Sequence, residues 1–140
     1  MNLSDPAVLR DLLASSPFHA LMPVQVVSVD RDAQALVLEL AFASQLERTP
    51  GSRRFHGGVI ATLVDVAGAF AMISSVGRNV PTTSLHVDYL RPPTAGSDLT
   101  AHARVRKAGR SLGVADVEVI DSQGRLVALG RVCTSTMPAE

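Results

Sequence analysis

His56, Gly57 and Gly58 stand directly before a long apolar run, Val59 to Val76, in which Asp65 is the only ionisable residue. Two kinds of chemistry are within reach of that combination. If the glycines open a helix, its first amides have no partner inside the helix and carry the positive end of the helix dipole. Missing β-carbons let a ligand atom come close to those amides, and a carbonyl oxygen gaining negative charge would be stabilised there. The plainer reading is that two glycines only permit a sharp bend from loop into helix. Asp65 lies seven residues after Gly58, so Gly58, Thr62 and Asp65 share a helical stripe, which Gly68 is expected to continue. A row of small and polar groups on an apolar helix can floor a ligand slot, where a carboxylate in a largely dry site serves as general base or nucleophile. The alternative is a buried aspartate satisfied by neighbouring backbone or hydroxyl groups.

Other candidates carry less chemistry. Thr82, Thr83 and Ser84 read mainly as strand formers, although hydroxyls near Asp65 would orient a water. His19, His56, His86 and His102 show no metal-ligand spacing, and His86 and His102 read as outward-facing strand residues. Arg53, Arg54, Arg91, Lys107 and Arg110 are either ordinary surface charge or an anchor for a phosphorylated ligand. Gly109 suggests a tight turn presenting Lys107 and Arg110, with Ser111 adding a hydroxyl.

The elements that must position these groups follow from periodicity. Asp5 as N-cap and Pro6 at the first helical position open a short helix with Val8, Leu9, Leu12 and Leu13 on its apolar face, closed by Ser15-Ser16-Pro17. Phe18, Leu21 and Met22 read as a packed connector. Strands are expected over 24–29 and 35–40, joined by Asp30-Arg31-Asp32, then a loop over 43–54 with Thr49-Pro50-Gly51-Ser52 as its turn. The central helix spans 57–76, with Gly77 as its C-cap. Strands over 84–90, 99–106, 111–120 and 126–135 complete the chain, with Leu85, Val87 and Tyr89 on one face of the first of them. Two strands, a long helix and four strands on hairpin connections imply an α+β fold: an antiparallel sheet wrapped around one helix. A half-wrapped sheet leaves edges, so self-association through an edge strand or helix face is expected.

The 140 residues suit a single domain, 1–140, with an N-terminal helical segment over 1–17. A zero formal net charge gives no basic field for nucleic acid or an anionic membrane, and 4% aromatics with no Trp give no base-stacking platform. The single cysteine, Cys133, excludes an internal disulfide and a Cys-rich zinc site, and a reducing, cytoplasmic location without a leader segment is expected. The helix approaches a bilayer span in length, but Asp65 near its centre would cost about 2.5–3.5 kcal/mol there, so a buried core helix is the expected reading.

With these residues in view, the chain resembles the hotdog-fold acyl-CoA thioesterases of the phenylacetate-degradation (PaaI-like) branch. The matching run is Phe55-His56-Gly57-Gly58-Val59-Ile60-Ala61-Thr62-Leu63-Val64-Asp65, followed by Asp88-Tyr89-Leu90-Arg91-Pro92, Val105 to Ser111 and Val127 to Arg131. The resemblance implies a hotdog fold, dimers that join their sheets and pair into homotetramers, and an active site between subunits. It implies that the Gly57 amide polarises a thioester carbonyl, with Gly58 beside it and His56 shaping the adjoining loop. Asp65 of the other subunit would activate water or attack the carbonyl carbon, and Thr82 or Thr83 would supply a water-placing hydroxyl. Arg91, Lys107, Arg110 and Ser111 match the region that contacts CoA, which is part of the substrate; no cofactor and no metal are implied. One departure stands out: many members carry Asn six residues before the histidine, where this chain has Pro50, which offers no donor. That departure keeps open a non-catalytic acyl-CoA-binding hotdog protein; a hotdog hydratase or dehydratase is the other alternative.

Overall fold

A computed structural model describes residues 1–139. Helix α1 (Pro6–Ser15) starts at Asp5, whose carboxylate accepts from the Ala7 amide at 2.8 Å, and it buries Leu9 and Leu13. Strands β1 (Val24–Asp30) and β2 (Ala35–Leu40) precede the 20-residue α2 (Gly57–Val76), and β3 (Thr82–Tyr89), β4 (Leu99–Ala108), β5 (Leu112–Asp121) and β6 (Leu126–Ser135) follow. Gly77 ends α2 in the left-handed region at φ 73°, its amide donating to Ile73. The six strands form one antiparallel sheet in the order β1-β2-β4-β5-β6-β3. One helix packed on one antiparallel sheet is the expected hotdog architecture.

The connections differ from expectation in one respect. Only β1–β2, β4–β5 and β5–β6 are neighbouring hairpin pairs; β3 lies across the sheet beside β6, and β4 pairs with β2. The segment from Leu90 to Asp98 therefore has to cross the end of the β5–β6 hairpin. It contains the tandem Pro92-Pro93, which cannot extend a strand ladder. The crossing is fastened by the Leu90 amide to Val127 O at 2.9 Å, the Gly96 amide to Arg53 O at 2.8 Å and the Asp98 carboxylate accepting from Phe42 N at 2.8 Å.

A buried carboxylate, Asp121, fastens the same crossing from the β5–β6 side. It accepts from the Thr94 amide (3.1 Å) and hydroxyl (3.0 Å), from the amides of Gln123 and Arg125, and from the Arg125 guanidinium at 3.0 Å. Burial by itself would raise its pKa. The amides of Thr94 and Arg125 and the Arg125 guanidinium outweigh that and hold the carboxyl well below the usual carboxylate range.

The core lies between α2 and the sheet's inner face, where Leu36, Leu38, Leu40, Leu99, Ala101, Ala103, Val117, Val119 and Val132 meet Leu63, Val64, Ala67 and Met72. Gly68 does not continue an open stripe with Asp65. It is buried, and a β-carbon built on it would stand 2.5 Å from Val132 Cγ2. At about 100° per residue, the position above Gly58, Thr62 and Asp65 is Ala69, and Gly68 points about 100° away into the sheet. Gly130 makes the reciprocal space on β6, since a β-carbon there would overlap Val64. Helix and strand approach through these two gaps.

One further expectation changes. Phe18 and Leu21 are 53% and 67% exposed and only Met22 of the connector is buried, because residues Pro17–Ala20 make a surface turn that points His19, not Phe18, at Phe70. Leu85 and Tyr89 face the helix side of the sheet but stay largely exposed, since β3 is an edge strand with no neighbour beyond it among the described residues. Helix α2 is long and apolar enough to cross a membrane, but most of it is buried against the sheet, so it is the core helix.

Candidate active site

The site begins with an anchor. Phe55 is buried against Phe42, with ring centroids 5.5 Å apart, and the His56 amide donates to Leu46 O at 2.9 Å. His56 then caps α2: its Nδ1 accepts from Gly58 N at 2.9 Å, and its carbonyl accepts from Val59 N at 2.9 Å and Ile60 N at 3.4 Å. That accounts for the first amides except one. Gly57 N–H has no hydrogen-bond partner among the described residues, at the positive end of a 20-residue helix.

Further along α2, Thr62 turns its hydroxyl back to Gly58 O at 2.9 Å, and Asp65 accepts from the Thr82 hydroxyl at 2.7 Å. Asp65 is half-buried on an open flank of the helix rather than enclosed in a dry slot. The flank is open because the sheet ends at β3. Thr82 and not Thr83 meets the carboxylate because the β3–β6 ladder shifts between Thr82 and Ser84. With Leu85, Val87 and Tyr89 facing the helix, strict alternation would turn Thr82 outward. Thr83 is the extra residue of a β-bulge, and it returns Thr82 to the helix side.

The other end of β3 also touches α2. The Tyr89 hydroxyl donates to Gly57 O at 2.7 Å. This contact is absent from the sequence reading, where Tyr89 is an alternating strand residue within the Asp88-Tyr89-Leu90-Arg91-Pro92 run of the resemblance. The available signals are its place in that run and its being the chain's single tyrosine.

Gly57 and Asp65 are eight residues apart on one helix, about 12 Å along its axis. The cationic candidates are also divided. Arg91 follows β3 near the start of α2, while Lys107, Arg110 and Ser111 surround the β4–β5 turn, where the Gly109 amide donates to Leu112 O at 2.9 Å. That turn lies at the far end of the ten-residue β4, about 30 Å away. Arg91, Lys107, Arg110 and Ser111 are all exposed. Of the remaining arginines, Arg54 donates to Pro93 O and Arg53 lies against Gly96, so both brace the Leu90–Asp98 crossing.

Pro50 is exposed at the tip of a loop closed by the Glu47–Phe55 bridge. Both oxygens of Glu47 serve that loop, accepting from Gly51 N at 2.8 Å and Arg53 N at 3.0 Å. A concavity of about 790 Å³ lies on the sheet's outer face, lined by His86, His102, Arg104, Asp116 and Arg131 among others. It contains none of the candidate catalytic residues. Its charges largely satisfy one another: Asp116 pairs with Arg131 and Arg106, and Arg131, with Arg106 and against a desolvation cost, holds its pKa down.

The fold is that of a hotdog protein, and the comparisons with known proteins agree on that. The family model of the thioesterase superfamily matches residues 54–128. The acyl-coenzyme A thioesterase PaaI of Escherichia coli is 36% identical over 108 residues, covering 77% of this chain and 74% of that protein. The solved structure of E. coli PaaI, from the phenylacetic acid degradation operon, superposes with a TM-score of 0.83 at 29% identity, covering 98% of this chain and 97% of that one. Zebra fish thioesterase superfamily member 2 superposes at 0.79 with 28% identity and 94% coverage of both. This chain belongs to the thioesterase superfamily, and its enzyme class is thioester hydrolase.

Proposed function

We propose that the protein hydrolyses acyl- or aryl-acyl-CoA thioesters to free acid and CoA, at a site that two copies of the chain build together. The observation that carries this reading is the unengaged Gly57 amide at the start of α2, with Asp65 on the same helix too far away to act on the same carbonyl. A carbonyl oxygen on Gly57 N–H would sit about 12 Å, along the helix, from the Asp65 of its own chain. In a two-fold dimer the neighbouring helix can run the other way and bring its Asp65 to that carbonyl. The unpaired edge of β3, exposed on both faces, is where a second sheet would add. The same operation brings Arg91 of one subunit toward Lys107, Arg110 and Ser111 of the other, where they can share the phosphates of CoA.

In this arrangement Gly57 N–H, with Gly58 leaving room beside it, polarises the thioester C=O. Asp65, held by Thr82, takes a proton from water as its oxygen bonds to the carbonyl carbon. The tetrahedral oxyanion stays on the Gly57 amide, the C–S bond breaks, and the leaving thiolate receives a proton to become CoA thiol. Attack by Asp65 itself, giving an anhydride that water then opens, uses the same groups. No cofactor is needed. Acyl-CoA as substrate is supported by the E. coli relative's activity. A cytoplasmic location is supported by the lone free cysteine, and pairing of dimers into a homotetramer by the family resemblance.

The test is a panel of short, long and aromatic acyl-CoAs with a thiol reporter, on the unaltered protein and on Asp65→Asn and Asp65→Ala. Both variants are expected to lose about 10²–10⁴ in turnover; near-normal hydrolysis by both would overturn the assignment. Pro50 supports a second reading. Loss of one oxyanion donor can cost about 10²–10³, and this loop offers no side-chain donor at that position. Calorimetric binding of acyl-CoA with no thiol release from any member of the panel would make the protein an acyl-CoA-binding module instead.

A further inference from the structure

One peptide group at the start of α2 is held from both sides, by a side chain 32 residues further along the chain and by that of the residue directly before it. Its carbonyl, Gly57 O, accepts from the Tyr89 hydroxyl at 2.7 Å, and its amide, Gly58 N–H, donates to His56 Nδ1 at 2.9 Å. An amide nitrogen can only donate, so Nδ1 is the accepting nitrogen and the neutral imidazole carries its proton on Nε2. The preceding peptide is pinned through its carbonyl, which accepts from Val59 and Ile60. Of the polar groups in these two peptides, only Gly57 N–H is left unengaged among the described residues. The Tyr89 ring also packs on this point: a β-carbon built on Gly57 would lie 3.6 Å from its Cζ, an ordinary contact.

The hydrogen bonds run in series from Tyr89 through the peptide to His56. A hydroxyl donating to the carbonyl draws charge from the peptide nitrogen and makes Gly58 N–H a better donor, so each bond strengthens the next. We propose that Tyr89 is a positioning residue of the hydrolase site. Through the Gly57–Gly58 peptide it strengthens the Gly58 N–H to Nδ1 bond that selects the His56 tautomer presenting Nε2–H as a second donor, and it holds the free Gly57 amide in the direction that receives the thioester oxygen. Tyr89 itself touches no reacting atom. The catalytic half of this inference rests on the hydrolase reading above; the structural half does not.

Tyr89→Phe keeps the ring and removes only the hydroxyl. The expected result is a fall in kcat of about 3- to 10-fold with KM unchanged, the size of one neutral hydrogen bond felt in the transition state. The ¹⁵N resonances of the His56 ring, assigned by their loss in His56→Gln, are expected to be widely separated in the unaltered protein. In Tyr89→Phe they should move toward each other as the second tautomer becomes populated. Unmoved ring resonances would overturn the proposal whatever happens to kcat. A rise in KM alone would also overturn it, because that is a binding contact and not a transition-state one. If the unaltered protein turns over no thioester, the hydrolase reading fails, and the ring resonances still decide whether Tyr89 sets the tautomer.

Discussion

Proline is favoured at the first position of a helix and brings no N–H, so Gly57→Pro removes one hydrogen-bond donor and little else. The local geometry accepts it. His56, the residue before, has φ −62° and ψ 140°, the extended conformation that precedes proline, and the nearest neighbours of a Cβ at Gly57 are the Tyr89 ring and hydroxyl, at an ordinary 3.6–3.7 Å. If the Gly57 amide holds the oxyanion, this variant keeps its melting temperature and loses about 10²–10³ in kcat. Thermal unfolding and thiol-release kinetics on one preparation separate the two effects. The residue scale is also where the sequence reading needed most correction. Gly68 reads as part of the Asp65 stripe because three- and four-residue spacings both count as neighbours on a helix. The choice between Gly68 and Ala69 depends on where the sheet lies, and Val132 fills the space over Gly68.

At the scale of elements, α2 and β6 interlock through Gly68 under Val132 and Gly130 under Val64. The glycines are there for proximity: a valine side chain presses where each β-carbon would be. Gly130→Ala forces Val64 out of its place and is expected to destabilise by about 1–3 kcal/mol, as overpacking in a close-packed core does. Chemical denaturation with an unchanged m-value would check this. The second device is strand β3. Its bulge at Thr83 lets one strand present Leu85, Val87 and Tyr89 on the same face as Thr82, so that its two ends engage Asp65 and Gly57. One extra residue converts a period-two strand into a two-point strap across the open flank of the helix.

At the scale of the whole molecule, the proposed site draws Gly57 and Asp65 from different subunits, and this makes a test by mixing possible. Gly57→Pro and Asp65→Ala should each be inactive alone. Unfolded together and refolded, the two chains form mixed dimers in which one of the two sites has both an intact amide and an intact carboxylate. With random pairing, about a quarter of the sites regain function, visible as thiol release from a mixture of two inactive proteins. No recovery, with mixed dimers shown by native mass spectrometry, would place both groups in one subunit's site and contradict the 12 Å argument.

Local periodicity and capping fix much of the architecture directly. Helix α2 runs over the expected 57–76, and β2 and β6 over the expected 35–40 and 126–135, because uninterrupted apolar periodicity and flanking turn residues leave little choice. The chemical types at the helix start and at Asp65 were equally legible, since His-Gly-Gly before an apolar helix with one carboxylate is a local pattern. Which neighbours those groups have is settled by contacts made across the fold. The order β1-β2-β4-β5-β6-β3, the crossing that Asp121 and Thr94 fasten, the choice of Thr82 over Thr83 and the Tyr89 contact with Gly57 all join residues far apart in the chain. No local propensity encodes them, because strand pairing and side-chain facing are settled by the packing of the whole sheet.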